Sequence, residues 1–189
     1  YTNPNFAYSD RALTTSLEST VTDKLSDSGY KTTLNKVSLG TEYEQFDDLF
    51  FSPTFSILDE SLKTTSSASA SYKKQAGSYF DTLFSYGLTV DKRDFKFQPT
   101  DGFVSRWSQE IPIVSNNPSL VNSYSLTGYN ELTDNMVISS GILLQAANSI
   151  DDNKDLRVSK RLYIPSKRLR GFESGGVGPK DGNDYVGGN

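Results

Sequence analysis

From Asp48 onward, apolar residues recur at every second position of the chain. In DLFFSPTFSIL, Leu49, Phe51, Pro53, Phe55 and Ile57 fall on one face, and Ser52, Thr54 and Ser56 fall on the other. That is the period of an extended strand with two unlike faces. In YFDTLFSYGLTV, Phe80, Thr82, Phe84, Tyr86, Leu88 and Val90 oppose Asp81, Leu83, Ser85, Gly87 and Thr89. GFVSRWSQEIPI sets Phe103, Trp107, Ile111 and Ile113 against Arg106, Ser108 and Glu110, and MVISSGILLQAA aligns Met136, Ile138, Ile142 and Leu144. Upstream, Leu13, Leu17 and Val21 are in phase, whereas YKTTLNKVSLGTEY changes phase near Lys36, as a β-bulge would cause. A weaker strand follows Pro118, with Leu120, Tyr124 and Leu126 in phase.

Between these runs lie DKLSDSG, YEQFDD, TTSSASASYKKQAG, DKRDFKFQPTDG, SNNPS and NELTDN, all rich in turn-forming residues. The pattern predicts an all-β antiparallel meander of about seven strands. They span approximately residues 10–23, 30–43, 48–64, 78–91, 102–114, 119–130 and 135–148, and a long loop occupies 149–189. Ala68 and Ala70 alternate well enough to carry the third strand on into its loop. Compact turns alternate with longer polar ones, and the strands match the roughly 9–11 residues of a tilted membrane strand better than the roughly 5–6 of a sandwich. Tyr8, Tyr30, Tyr43, Tyr72, Tyr79 and Tyr129 lie near strand ends, where the aromatic girdles of a transmembrane β-barrel sit. A soluble sandwich, with a second sheet over the apolar face, is the alternative.

Composition adds exclusions. The chain has 189 residues, begins at Tyr1 and ends in a glycine-rich run, which predicts a piece of a longer protein. It holds no Cys and no His, so it has no disulfide frame, no thiolate metal site and no histidine base. A net charge of -4 argues against a general nucleic-acid binder. No apolar run is long enough for a membrane helix, but the mean hydropathy of -0.51 is also what alternating membrane strands give.

Candidate chemistry is sparse. GGVGPK lacks the Gly-Lys-Ser/Thr ending of a phosphate loop and carries Pro179 where backbone donors are needed. The acidic pairs Asp47 with Asp48, Asp91 with Asp94 and Asp151 with Asp152 fall in predicted turns, where Asp bonds its own backbone. The serines have no histidine partner. No catalytic residues, metal ligands or cofactor site emerge. What stands out is KRLRGFESGGVGPK, three cationic side chains ahead of a glycine run, which as an exposed loop could bind surface polyanions.

LRGFE at Leu169–Glu173, then GGVGPKDG and the terminal VGGN, resembles the sixth extracellular loop of the BamA family of outer-membrane assembly factors, in the bacterial surface antigen barrel superfamily. LTVDKRDFKFQPTDG is similar to the strand-turn-strand signature of the same superfamily, through Asp91, Arg93, Asp94, Pro99, Thr100 and Gly102. TNPNF at Thr2–Phe6 resembles its Asn-Pro-x-Phe periplasmic turn. The resemblance implies a barrel of about 16 strands, of which this chain supplies roughly the fifth to eleventh, with POTRA domains upstream. It implies a loop folded into the lumen, its backbone bent at Gly175, Gly176, Gly178, Pro179, Gly187 and Gly188, and its Arg170, Gly171 and Phe172 acting as a latch. There the guanidinium would meet an acid on a later strand. The family's Gly-Gly pair before Arg-Gly-Phe is replaced here by Pro165 and Ser166. The implied function is folding and insertion of client barrels into the outer membrane of a Gram-negative bacterium, without cofactor or covalent chemistry. The implied partners are client outer-membrane proteins, accessory lipoproteins and the lipid bilayer. A sister exporter or autotransporter-assembly barrel, a passive porin and a surface-binding β protein are the rivals.

Overall fold

A computed structural model describes every residue except Asp27, Ser174 and Asn183, with Asp184 described in its backbone only. The main element is an eight-stranded antiparallel sheet in strict sequence order, β1 to β8, with β1 and β8 at its open edges. The strands are β1 (Thr2–Asn3), β2 (Ala12–Lys24), β3 (Tyr30–Phe46), β4 (Leu49–Thr64), β5 (Gly77–Asp91), β6 (Gly102–Ser115), β7 (Ser119–Thr133) and β8 (Met136–Ser149). A second, two-stranded pair, β9 (Lys180–Asp181) with β10 (Asp184–Tyr185), lies within the long final loop. The expected meander is present, with the short β1 added ahead of it. No second sheet lies over it to make a sandwich among the described residues.

The register turns the alternation of each strand into two continuous surfaces. Leu17, Val37 and Ile57 are laterally aligned, as are Leu39, Phe55, Phe84 and Ile111, and so are Trp107, Tyr124 and Leu144. These residues face outward, and Leu17 is 81% exposed. An apolar belt of this breadth is unsuited to water and suited to lipid. The opposite face carries Glu18, Lys36, Glu60, Asp81, Ser85, Glu110, Arg106 and Ser125 and is the lumenal one.

An aromatic row crosses four strands toward one rim. Tyr43 meets Phe51 at 5.9 Å, Phe51 meets Tyr86 at 6.3 Å, and Tyr86 meets Trp107 edge-on at 5.5 Å. Only Tyr43 of the six expected girdle tyrosines belongs to it. Tyr30 and Tyr72 stack on each other at 4.4 Å on the lumenal side, and Tyr79 shares the inward phase of Asp81. Tyr129 has the inward phase too, and Tyr8 stands fully out in the first turn. Proximity to a strand end does not reveal which face a tyrosine takes.

Two further expectations are corrected. The register runs unbroken through Lys36, and the irregularity of β3 lies between Glu44 and Phe46, next to the turn. The apparent phase change has another source: Leu34 is an apolar residue in the inward phase, on the side of Glu60 and Tyr72, whereas Val37 and Leu39 take the outward phase of Ile57 and Phe55. The strand does not continue through Ala68 and Ala70 either. β4 ends at Thr64, and Ala70–Lys74 form a single-turn helix, α1, whose Tyr72 is buried. A true bulge occurs in β6, where Ile113 is the extra residue, since Thr82 pairs with Val114 but Leu83 pairs with Pro112. The bulge returns Ser115 to the lumenal face beside Asp81.

Candidate functional site

The connections 65–76, 116–118 and 150–189 lie at one end of the sheet, and the turns 47–48, 92–101 and 134–135 at the other. At the second end, the Asp91–Arg93 pair closes the base of the β5–β6 hairpin. Arg93 donates from Nε at 2.7 Å and from Nη2 at 2.6 Å to the two carboxylate oxygens of Asp91, a planar bidentate match. Asp94 caps the same turn, accepting from the Thr100 hydroxyl at 2.6 Å, the Thr100 amide and the Phe95 amide. These bonds, led by that from the hydroxyl, hold its carboxyl at about 2, below the usual range. Gly102 has a φ of +91°, and a Cβ there would collide with the Lys92 carbonyl oxygen. Pro99 is half-buried in the same turn. The signature residues are therefore brought together as one hairpin brace.

At the first end, the loop after β8 runs back over the lumenal face. Ile150 N–H donates to the Pro118 carbonyl at 2.9 Å, and Lys154 Nζ donates to the Asn116 carbonyl at 2.7 Å. Asn117 Nδ2 donates to the Asp155 carbonyl at 3.2 Å. Lys74 of α1 pairs with Asp155 at 2.7 Å and holds that carboxyl below its usual range. Gln75 serves as a backbone partner for the loop: its Nε2 donates to Leu156 O at 3.2 Å, and its Oε1 accepts from Val158 N–H at 2.8 Å.

Between those two contacts, Arg157 turns into the wall. Its guanidinium bonds Asp81 of β5 through Nη2 and Glu60 of β4 through Nη1 at 3.3 Å, and it lies 4.8 Å over the Tyr79 ring. All three charged side chains are buried. Ser115 donates to Asp81 at 2.5 Å, and Ser159 donates to Glu60 at 2.8 Å, so the carboxylates are hydrogen-bonded from both strand and loop. Lys160 pairs with Glu110 of β6 at 2.5 Å.

The end of the loop is drawn to the same place by apolar contact. Ala68, Tyr72 and Val186 form a small buried cluster, flanked by Tyr30 and Val158. Asp181 accepts from the Ser71 amide at 2.8 Å, and Leu162 and Gly188 exchange backbone hydrogen bonds of 2.9 Å. Gly187 has a φ of +74°, and a Cβ there would stand 3.0 Å from Leu162 O, Arg161 Cβ and a Tyr163 ring carbon, so only glycine fits. Gly175 lies against the Tyr163 ring, and Gly176 against Glu173. Gly171, Gly178 and Gly188 stand in open space, and Pro179 accepts from Val186 N–H.

Arg170 and Phe172 sit apart from this. Both are exposed, and Arg170 has no ion pair or hydrogen bond among the described residues. Arg168 reaches to 3.6 Å from the Cβ position of Gly141 on β8. A cavity of about 770 Å³ separates the loop from β2 and β3, bordered by Glu18, Thr20, Thr32, Tyr72 and Glu173. Sequence reasoning missed Arg157, Asp81, Glu60 and Gln75. The available signal was the inward phase of two acids on adjacent strands, which calls for a cation from elsewhere.

The whole chain, residues 1–189, matches the Omp85 superfamily domain. The chain belongs to the Omp85 superfamily. It is 26% identical over 152 residues to the outer membrane protein assembly factor BamA of Neorickettsia risticii (strain Illinois), a match covering 78% of this chain and 20% of that protein. Its fold matches the crystal structure of BamA from Haemophilus ducreyi lacking POTRA domains 1–3, with a TM-score of 0.77 and 18% identity. That likeness covers 95% of this chain and 38% of the other. The chain thus spans about a fifth of the curated relative. Family membership and the apolar outer belt place this Omp85 chain in the outer membrane of a Gram-negative bacterium.

Proposed function

We propose that this Omp85 chain is the middle portion of an outer-membrane protein assembly factor that folds and inserts client β-barrels. It would contribute about the fifth to eleventh strands of a barrel of about 16, with POTRA domains ahead of them. The observation that carries this reading is the loop: it lies over the lumenal face yet leaves Arg170, Gly171 and Phe172 unengaged at its tip. A guanidinium presented in this way suits a planar carboxylate on a later strand. Client strands would pair with an unpaired strand edge of the completed barrel, as any exposed edge allows. Client outer-membrane proteins, accessory lipoproteins and the bilayer are the partners; the work is done by strand pairing and needs no cofactor or covalent step.

The test replaces Arg170 by Ala in the full-length protein and measures steady-state levels of outer-membrane proteins. The reading expects the variant to insert normally and client levels to fall. Unchanged client levels, or solute-selective conductance as the protein's main activity, would sink it.

A further inference from the structure

We propose that Arg157 is a positioning residue that clamps the root of the 150–189 loop to the lumenal wall and thereby sets where Arg170 is presented. The inference rests on the assembly-factor reading and deepens it. Its basis is the contrast between two arginines of the same loop. Arg170 is exposed and unpaired among the described residues, whereas Arg157 is 3% exposed and shared between acids of two strands.

The geometry distinguishes a clamp from a chance ion pair. Glu60 and Asp81 are inward neighbours on adjacent strands, since Glu60 pairs with Tyr79 and Asp81 with Leu58. One guanidinium spans the diagonal between them, using both Nη atoms and leaving Tyr79 stacked on its face. Two buried carboxylates with no cation would be strongly disfavoured, so the wall is built to require one. The residues on either side of Arg157 are held as well, Leu156 and Val158 through Gln75 and Ser159 through Glu60. Every one of these partners lies on β4, α1 or β5 or just beyond them, none on the strands that would carry the acid for Arg170. The root of the loop is therefore held by strands other than the later one that Arg170 is proposed to meet.

The experiment uses the full-length protein in detergent or nanodiscs. These 189 residues hold no cysteine, so, with any cysteine elsewhere in the full-length protein replaced, spin labels on Ser166→Cys and Asp134→Cys report the distance from the loop to the far rim. Limited proteolysis reports loop opening, and client levels report assembly. Arg157→Met leaves both acids uncompensated and is expected to raise cleavage within the loop by roughly a hundredfold. Because that variant can fail to fold, the neutral set Glu60→Gln, Asp81→Asn, Arg157→Met is compared: it is expected to fold and insert, yet still to show a broadened distance distribution and reduced client levels. Arg157→Lys, able to serve one acid at a time, should restore them in part. A narrow, unshifted distribution in the neutral set overturns the clamp. A mobile loop with normal client levels, while Arg170→Ala still lowers them, overturns the positioning role and leaves the assembly reading standing. Normal client levels in both overturns the two together.

Discussion

Tyr72 is the point at which the β4–β5 connection and the end of the long loop become one cap. Its ring is 2% exposed, stacks on Tyr30 at 4.4 Å, and packs on Ala68 and Val186. Its side chain also interacts with that of Tyr163. Replacing Tyr72 by Ala removes a fully buried aromatic, a change that costs about 3–5 kcal/mol. The loss falls on the cap, because β4 and β5 pair through an uninterrupted ladder without it. A penalty of about 3 kcal/mol raises the open population of the cap by roughly two orders of magnitude. Tyr72→Phe keeps the packing and loses only the polar interaction of the hydroxyl, for about 1 kcal/mol and roughly fivefold. Hydrogen exchange on the full-length protein reads this directly. The amides of Leu162, Gly188 and Val186 are each bonded within the cap, to Gly188 O, Leu162 O and Pro179 O, and should exchange faster in that ratio. Amides of the β4–β5 ladder should not change. If Tyr72→Ala leaves the three cap amides as protected as before, the cap does not depend on this contact and the reasoning fails.

Gly102→Ala forces a Cβ against the Lys92 carbonyl at a φ of +91°; a loss of several kcal/mol is expected, read as loss of heat-modifiable migration of the folded barrel. Asp94 has its folded pKa depressed to about 2 against about 3.9 in an unfolded chain, so its contribution is complete above about 3.9 and is lost as pH falls through about 2. Protection of the Thr100 amide should follow that titration, and Asp94→Asn should flatten it; a pH-independent amide in the wild type would contradict the assignment.

How much was legible beforehand depended on range. The two faces of each strand follow from backbone geometry, because successive side chains point to opposite sides whatever the chain does elsewhere. That is why Leu17, Ile57 and Trp107 could each be placed on the apolar face of its own strand from the order of residues. In the β5–β6 turn the order of residues marked Asp91 and Asp94 as turn aspartates and, by resemblance, as part of a signature, whereas the Asp91–Arg93 pair and the Asp94–Thr100 bond are findings of the structure. The six tyrosines illustrate the limit: position near a strand end says little about whether a ring meets lipid or lumen, and Tyr72 became a core residue only because α1 formed where a strand was expected to continue.

By itself, then, the order of residues determined the alternation, the turns, the meander and the long glycine-rich loop with its Arg-Gly-Phe tip. Only the tertiary structure decided which cation of that loop is buried. Arg157 is separated by 76 residues from Asp81 and by 97 from Glu60, and no local rule distinguishes it from Lys160, Arg161, Lys167, Arg168 or Arg170. The choice is made by the register of β4 on β5, which puts two carboxylates on one inward diagonal, and by the Ile113 bulge, which turns Ser115 toward Asp81. A buried charge takes its partner from whatever the fold brings within reach, and that reach is set by strand pairing across the whole sheet.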